Sequence, residues 1–166
     1  MGSFTFSGLA LASAIEGVAN AGGGTGGSGV TTNSDGGVVM DRFQTDHDGE
    51  THFSKCRVPM SRDANGNVHS LGIASKDISF WDLPAGLDVP PHHAPERQFV
   101  VVLSGEIRVT VSDGESRSWR TGDVFLATDA GTGKGHRTQT IGGPARALFV
   151  PVGDDVDLDA WTVSAS

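Results

Sequence analysis

Two adjacent histidines, one acid and one amide lie within the seven residues HHAPERQ, from His92 to Gln98. Imidazole, carboxylate and amide groups are side chains that hold metal ions and carry protons in proteins. The segment directly precedes FVVVLSGEIRVTV, the most strand-like run in the chain. In an extended segment His92, Glu96 and Gln98 share one face, because side chains alternate between the faces of a strand. His93 then points to the other face, unless Pro95 interrupts the alternation.

A second candidate region is GDVFLATDAGTGKGHRTQ, in which a predicted strand ends in a glycine-rich loop that leads to His136. The part GTGKGH has the composition of a phosphate-binding loop. It lacks the GxxxxGK[ST] spacing, and no helix is predicted after it, so we reject nucleotide binding there. The chain also lacks a G-x-S-x-G sequence between a strand and a helix, which argues against a serine hydrolase. A metal site, the remnant of one, or a polar entrance to a strand remains.

Both regions resemble the two motifs of the cupin superfamily, and the resemblance covers most of residues 40–152. The first motif runs Gly, five residues, His-x-His, three or four residues, Glu, six residues, Gly. The corresponding positions here are Gly86, His92, Ala94, Gln98 and Gly105. Two of the three metal ligands of this motif are therefore changed, to Ala94 and Gln98. The second motif is similar to Gly122-Asp123 followed by His136, with three extra residues and Thr128 where proline is usual.

The resemblance implies a jelly-roll barrel, commonly a homodimer, with a divalent iron, zinc, manganese, nickel or copper ion inside its mouth. Carried over position by position, the metal ligands are His92, Gln98 and His136. Two imidazoles and a neutral amide hold an ion less well than three imidazoles and a carboxylate, because no negative charge compensates the ion. His93 or Glu96 would restore a third imidazole or a carboxylate if the backbone kinks between them.

The pattern of the chain from residue 38 onward predicts an all-β fold. Short runs of β-branched and aromatic residues alternate with turn signals at a spacing near ten residues, which is typical of antiparallel strands that close into a barrel or a double-sheet jelly roll. In EIRVTV, Ile107, Val109 and Val111 fall on the buried face. The sequences LSGE (103–106) and SDGE (112–115) predict tight hairpin turns. The tail DDVDLDAW predicts a short helix.

Composition and charge narrow the class of protein. A chain of 166 residues has the length of one domain, and its net charge of -8 argues against nucleic acid and anionic membrane surfaces as partners. No apolar run reaches the roughly 18 residues that cross a bilayer, so a soluble protein without a membrane partner is expected. The first twenty residues resemble a secretory signal but lack its positive start, and Glu16 interrupts the apolar part. The single cysteine, Cys56, excludes an internal disulfide and favours the cytoplasm.

Residues 1–37 contain a Gly/Ser-rich stretch, AGGGTGGSGVTTNSDGG, and have no basic residue. Such a composition is typical of a flexible linker. We therefore expect a flexible or docking extension over residues 1–37 and one cupin domain over residues 38–166.

Three functions follow as hypotheses. The first is a cupin enzyme in which a divalent ion polarises a substrate oxygen, as an oxygenase or as a Lewis-acid isomerase, cyclase or lyase, with Glu96 or His93 as proton carrier. Its substrate is a small molecule in an apolar pocket predicted to be lined by Val100, Val102, Phe125 and Phe149. The second is a metal-free or weakly metallated module that binds a small ligand without catalysis, which the changed residues at 94 and 98 favour. The third is a structural or storage protein.

Overall fold

The computed structural model describes residues 31–32, 37–131 and 133–163. The strands in this part of the chain are β1 (Thr31–Thr32), β2 (Val38–Thr45), β3 (Thr51–Val58), β4 (Met60–Arg62), β5 (Val68–Ser70), β6 (Ser79–Leu83), β7 (Asp88–His92), β8 (Gln98–Ser104), β9 (Glu106–Val111), β10 (Ser116–Arg120), β11 (Val124–Ala127), β12 (His136–Thr140) and β13 (Ala145–Pro151). The only helical element among the described residues is a 3-10 turn, Asp159–Trp161. None of their helical structure is long and apolar enough to cross a membrane.

The strands form two large sheets. One has seven strands, in the order β1-β2-β11-β8-β13-β6 with β3 added to β2, and the other has four, in the order β10-β9-β12-β7. Strands β4 and β5 form a separate small hairpin. Among the described strands, every pairing is antiparallel except that of β2 with β11. The predicted all-β, double-sheet fold is therefore confirmed.

Alternation of side chains places the core between the two large sheets. Ile107, Val109 and Val111 of β9 are buried, as predicted, while the residues between them are half-buried. Across the gap, Trp119 of the four-stranded sheet packs on Phe125 of the seven-stranded sheet, with ring centroids 4.2 Å apart. Burying a valine or isoleucine side chain contributes about 1.5 to 3 kcal/mol, so the period-two pattern of β9 alone fixes which face it turns inward.

The two predicted hairpin turns have different outcomes. The SDGE turn joins β9 to β10, which pair with each other, and Gly114 has a φ of 95°, so this hairpin is confirmed. The LSGE turn does contain a glycine with positive φ, Gly105 at 77°. It joins β8 to β9, however, and these strands lie in different sheets, so the predicted hairpin is wrong. A Cβ atom at Gly105 would lie 2.4 Å from the carbonyl oxygen of Pro144, because the chain crosses between the sheets here.

The predicted C-terminal helix is also wrong, apart from the single 3-10 turn. Arg42 is buried and reaches out from β2 to this segment, donating hydrogen bonds to the carbonyl oxygen of Leu158 at 3.1 Å and to Asp159 at 2.8 Å. The backbone then extends, and Thr162 forms a bridge with Cys56. Tertiary contacts therefore override the local helical preference of the acidic tail.

The predicted extension lies mostly outside the described residues. Thr31 and Thr32 pair with β2 at the edge of the seven-stranded sheet. Residues 1–30 and 33–36 are not described, so the boundary at residue 37 stays a prediction.

Candidate functional site

A cavity of about 450 Å³ lies between the two large sheets. One wall comes from the seven-stranded sheet and carries the aromatic side chains Phe43, Trp81, Phe125 and Phe149. The opposite wall comes from the four-stranded sheet and carries Val89, His92, Ile107, Val109, His136 and Thr138. No lysine or arginine belongs to the described lining. The volume falls in the range of small-molecule sites, and the mainly apolar lining with a few polar groups is typical of them.

The strands β7 and β12 bring His92 and His136 together. These residues are register partners in the antiparallel pairing of the two strands. Their ring centroids are 4.4 Å apart, and both rings line the cavity. Two histidines that are distant in sequence thus form a polar corner of a mainly apolar cavity.

His136 is held by a buried carboxylate that the sequence analysis missed. Its Nδ1 donates a hydrogen bond to Asp129 Oδ2 at 2.6 Å, and Asp129 is completely buried. The other oxygen of Asp129 accepts a hydrogen bond from the backbone N–H of Ala94 at 3.2 Å. Because a carboxylate can only accept, the hydrogen of the imidazole is fixed on Nδ1. The Nε2 atom of His136 has no partner among the described residues, and in the neutral ring this atom is an acceptor for a molecule in the cavity.

The glycine-rich loop explains how Asp129 reaches His136. Gly131, Gly133 and Gly135 all have positive φ, which lets the chain turn back on itself after β11. A Cβ atom at Gly135 would lie 2.3 Å from the carbonyl oxygen of His92, so only glycine permits this approach of β12 to β7. The signal in the sequence was an acid seven residues before the histidine, in the same loop.

His92 is oriented in the same way by a backbone group. Its Nδ1 donates a hydrogen bond to the carbonyl oxygen of Pro90 at 2.9 Å, which leaves Nε2 as an acceptor. Burial lowers the pKa of His92 below its ordinary value, and the nearby His136 lowers it further. His92 is therefore a neutral imidazole at neutral pH.

The other predicted ligand, Gln98, also lines the cavity. It is only 6% exposed, and its side-chain amide has no hydrogen-bond partner among the described residues. The amide can both donate and accept hydrogen bonds, so this group is suited to contact a molecule in the cavity. Gln98 therefore lines the same cavity as His92 and His136.

The predicted proton carriers lie in different places. Glu96 lines the cavity, and its Oε2 lies 3.3 Å from Lys76 Nζ but makes no well-aligned hydrogen bond. His93 points away, as strand alternation predicted, and its Nε2 donates a hydrogen bond to the carbonyl oxygen of Gly133 at 2.7 Å. His93 does not line the cavity.

Three of the four predicted pocket residues, Val100, Phe125 and Phe149, line the cavity. Val102 does not. It is fully buried and packs within the hydrophobic core.

The donor set at the polar corner does not make a complete metal site. His92 and His136 offer one nitrogen each and Gln98 one neutral oxygen, while the buried Ala94 stands where a further histidine would be needed. Both oxygens of Asp129 are already engaged. Among the described residues, the one group of three acidic, histidine or cysteine side chains close enough to share an ion is exposed, on the turn after β2: Asp46, His47 and Asp48. Neither Glu96 nor His93 therefore completes the ligand set, and the corner lacks the negative charge that a divalent ion favours.

Comparison with known proteins gives one family match. The family model for the cupin domain matches residues 79–151, from the first residue of β6 to the last of β13. No curated protein matches the chain.

The solved structures that resemble the chain are distant. They include a conserved protein of unknown function from Streptococcus pyogenes, with 23% identity over 48% of this chain and 65% of that chain and a TM-score of 0.38. They also include a cupin 2 conserved barrel domain protein from Leptotrichia buccalis, with 16% identity over 69% of this chain and 41% of that chain and a TM-score of 0.39. The Cnp3 cupin domain of Schizosaccharomyces pombe has 17% identity over 71% of this chain and 84% of that chain, with a TM-score of 0.40. The chain thus spans less than two thirds of the first two, and at these TM-scores the likenesses carry no argument about function.

Proposed function

We propose that this chain, a member of the cupin superfamily, binds a small, largely apolar molecule between its two sheets. It acts on this molecule by proton transfer through His136, without a resident metal ion. The observation that supports this proposal is the pair of His136 with the fully buried Asp129 at the polar corner of the cavity. The apolar walls contact the body of the bound molecule, and the polar corner contacts its polar group.

Each residue of the corner has a distinct part in this proposal. His136 presents an unpartnered Nε2 to the cavity and takes a proton there, as a general base must lie within hydrogen-bond reach of the proton it removes. Asp129 holds the ring in the tautomer that leaves Nε2 free and stabilises the imidazolium that forms. Gln98 lines the same cavity and orients the oxygen of the substrate by donating a hydrogen bond from its amide.

Metal analysis and ligand-dependent stability test the proposal together. Protein purified without a histidine tag is expected to hold well below one transition-metal ion per chain, even after supplementation. A small molecule from a metabolite panel is expected to raise the melting temperature of the wild-type protein, since a ligand that binds only the folded state stabilises it. His136→Ala should lose this increase, while the matched control His69→Ala, at an exposed position on β5, should keep it. An increase that both variants keep would contradict the role of His136.

A divalent-metal enzyme is the second candidate function, and one observation favours it. Both His92 and His136 donate their Nδ1 hydrogen to a fixed oxygen, which is the arrangement that orients histidine ligands of metal ions. Under this candidate, Gln98→Glu supplies the missing negative charge and tightens metal binding. One metal ion per chain, lost in both His92→Ala and His136→Ala, would establish this candidate and overturn the metal-free one.

A further inference from the structure

The chemistry of the cavity restricts the kind of molecule it accepts, an inference that rests on the proposed function. The wall from the seven-stranded sheet carries four aromatic side chains, and Trp81 and Phe149 among them lie with ring centroids 5.3 Å apart. At the other end of this wall, Phe43 contacts the His136 ring at a centroid distance of 4.7 Å. Aromatic rings associate at such separations beyond what buried area alone provides. A flat ring therefore fits between this wall and the aliphatic side chains opposite, and about 450 Å³ accommodates two fused rings.

Charge excludes anionic molecules from the same space. Among the described residues, the lining contains no lysine or arginine, and its one acid is Glu96. A carboxylate or phosphate in the cavity would be buried without an opposite charge, which is strongly unfavourable. The ligand is therefore uncharged at its polar end.

The hydrogen-bond donors and acceptors at the polar corner determine which polar group of a ligand can bind there. The oxygens that hold the two Nδ1 atoms, from Pro90 and Asp129, have no hydrogen to give. A neutral imidazole with its hydrogen on Nδ1 accepts at Nε2. The two neutral histidines thus present acceptors to the cavity, and Gln98, in the same lining, has hydrogens to donate. A complementary ligand must bring a hydrogen-bond donor.

We propose that the cavity takes an uncharged hydroxylated aromatic compound, whose ring lies along the aromatic wall and whose hydroxyl group donates a hydrogen bond to Nε2 of His136. This arrangement also places an acidic O–H on the atom that the proposed function assigns as the proton acceptor. The hydroxyl oxygen in turn accepts from the amide of Gln98.

Titration calorimetry with three matched probes tests this ligand class. The probes are 2-naphthol, 2-methoxynaphthalene and 2-naphthoate, which share one ring system and differ in the donor and the charge. We expect 2-naphthol to bind about tenfold or more tightly than 2-methoxynaphthalene, because the ether leaves the buried acceptor without a partner. We expect 2-naphthoate to bind most weakly. In His136→Phe the preference for 2-naphthol over the ether should disappear, while the ether itself still binds.

Each other outcome overturns a different part of the reasoning. Equal affinity for 2-naphthol and the ether contradicts the donor requirement and leaves the cavity as a binding site. Tightest binding of 2-naphthoate contradicts the ligand class and indicates a cation at the corner, in agreement with the second candidate function. If none of the three probes binds to the wild-type protein, both this ligand class and the proposed apolar binding site are wrong.

Discussion

Replacing Asp129 by asparagine is expected to invert the hydrogen-bonding character of the site without changing its shape. The carboxylate accepts hydrogen bonds from His136 and from the backbone N–H of Ala94, and the isosteric amide has only one oxygen to accept with. The backbone N–H cannot change its role, whereas the imidazole can move its hydrogen between nitrogens. We therefore expect the amide oxygen to face Ala94 and its NH₂ group to donate to Nδ1 of His136. The hydrogen of the ring then moves to Nε2.

The size of the effect follows from the two bonds. Hydrogen bonds to a charged group contribute about 1.5 to 3 kcal/mol and neutral ones about 0.5 to 1.5 kcal/mol, so the free energy of unfolding should fall by about 1 to 2 kcal/mol. Asp129→Ala should cost more, since it leaves two buried donors without any acceptor.

Two measurements check this prediction. Urea denaturation gives the change in free energy of unfolding, and the long-range couplings of nitrogen-15 in NMR give the tautomer of His136. In Asp129→Asn the hydrogen should reside on Nε2, and the preference between the naphthalene probes should shift from 2-naphthol toward the ether, which can only accept. A wild-type tautomer together with an unchanged free energy of unfolding would refute the assigned role of Asp129.

Three further predictions concern regions outside the cavity. The buried thiol of Cys56 has a pKa raised to about 11 by desolvation, so it should react with a thiol reagent only after denaturation, and rapid labelling of the native protein would contradict its burial. The pKa of His52 is raised, chiefly by its hydrogen bond with Asp113, so its contribution to stability is complete below the ordinary histidine pKa and is lost as the pH rises through the raised value. The melting temperature should therefore fall less in His52→Gln than in wild type as the pH rises through this interval, and parallel curves would argue against the pair of His52 and Asp113. Phe80 is 72% exposed on the edge strand β6, where the homodimer implied by the resemblance would bury it. Phe80→Glu should therefore convert a dimer to a monomer in analytical ultracentrifugation. A dimer that stays intact would place the interface elsewhere.

The sequence was sufficient where local pattern alone determines structure. The period-two alternation of β9 predicted its buried face correctly, because a shift by one residue would expose every core side chain. The same reasoning placed His92 and Gln98 on the cavity side and His93 on the other. It succeeded although the backbone bends over residues 95–97.

The failures arise where distant segments decide the outcome. The turn chemistry of LSGE required a positive φ at Gly105 but did not specify which strands would pair, and the neighbours of β8 and β9 are set by the whole sheet order. Val102 has the same parity as Val100, yet only the relative position of the sheets determines that it packs in the core and not at the cavity. Asp129 gained its role from the fold of the glycine loop, which no single-residue preference indicates.

The spacing of His92 and His136 depends on the absence of a Cβ atom at Gly135. Gly135 has a φ of 72°, and there is no room for a methyl group between it and the backbone of His92. Its lack of a side chain therefore permits the close approach of β7 and β12. Gly135→Ala should therefore increase the distance between the imidazole rings of His92 and His136, while both side chains are kept. Measuring the ring separation and the ligand affinity of that variant would separate two contributions to binding at the polar corner: that of its chemical groups and that of their proximity.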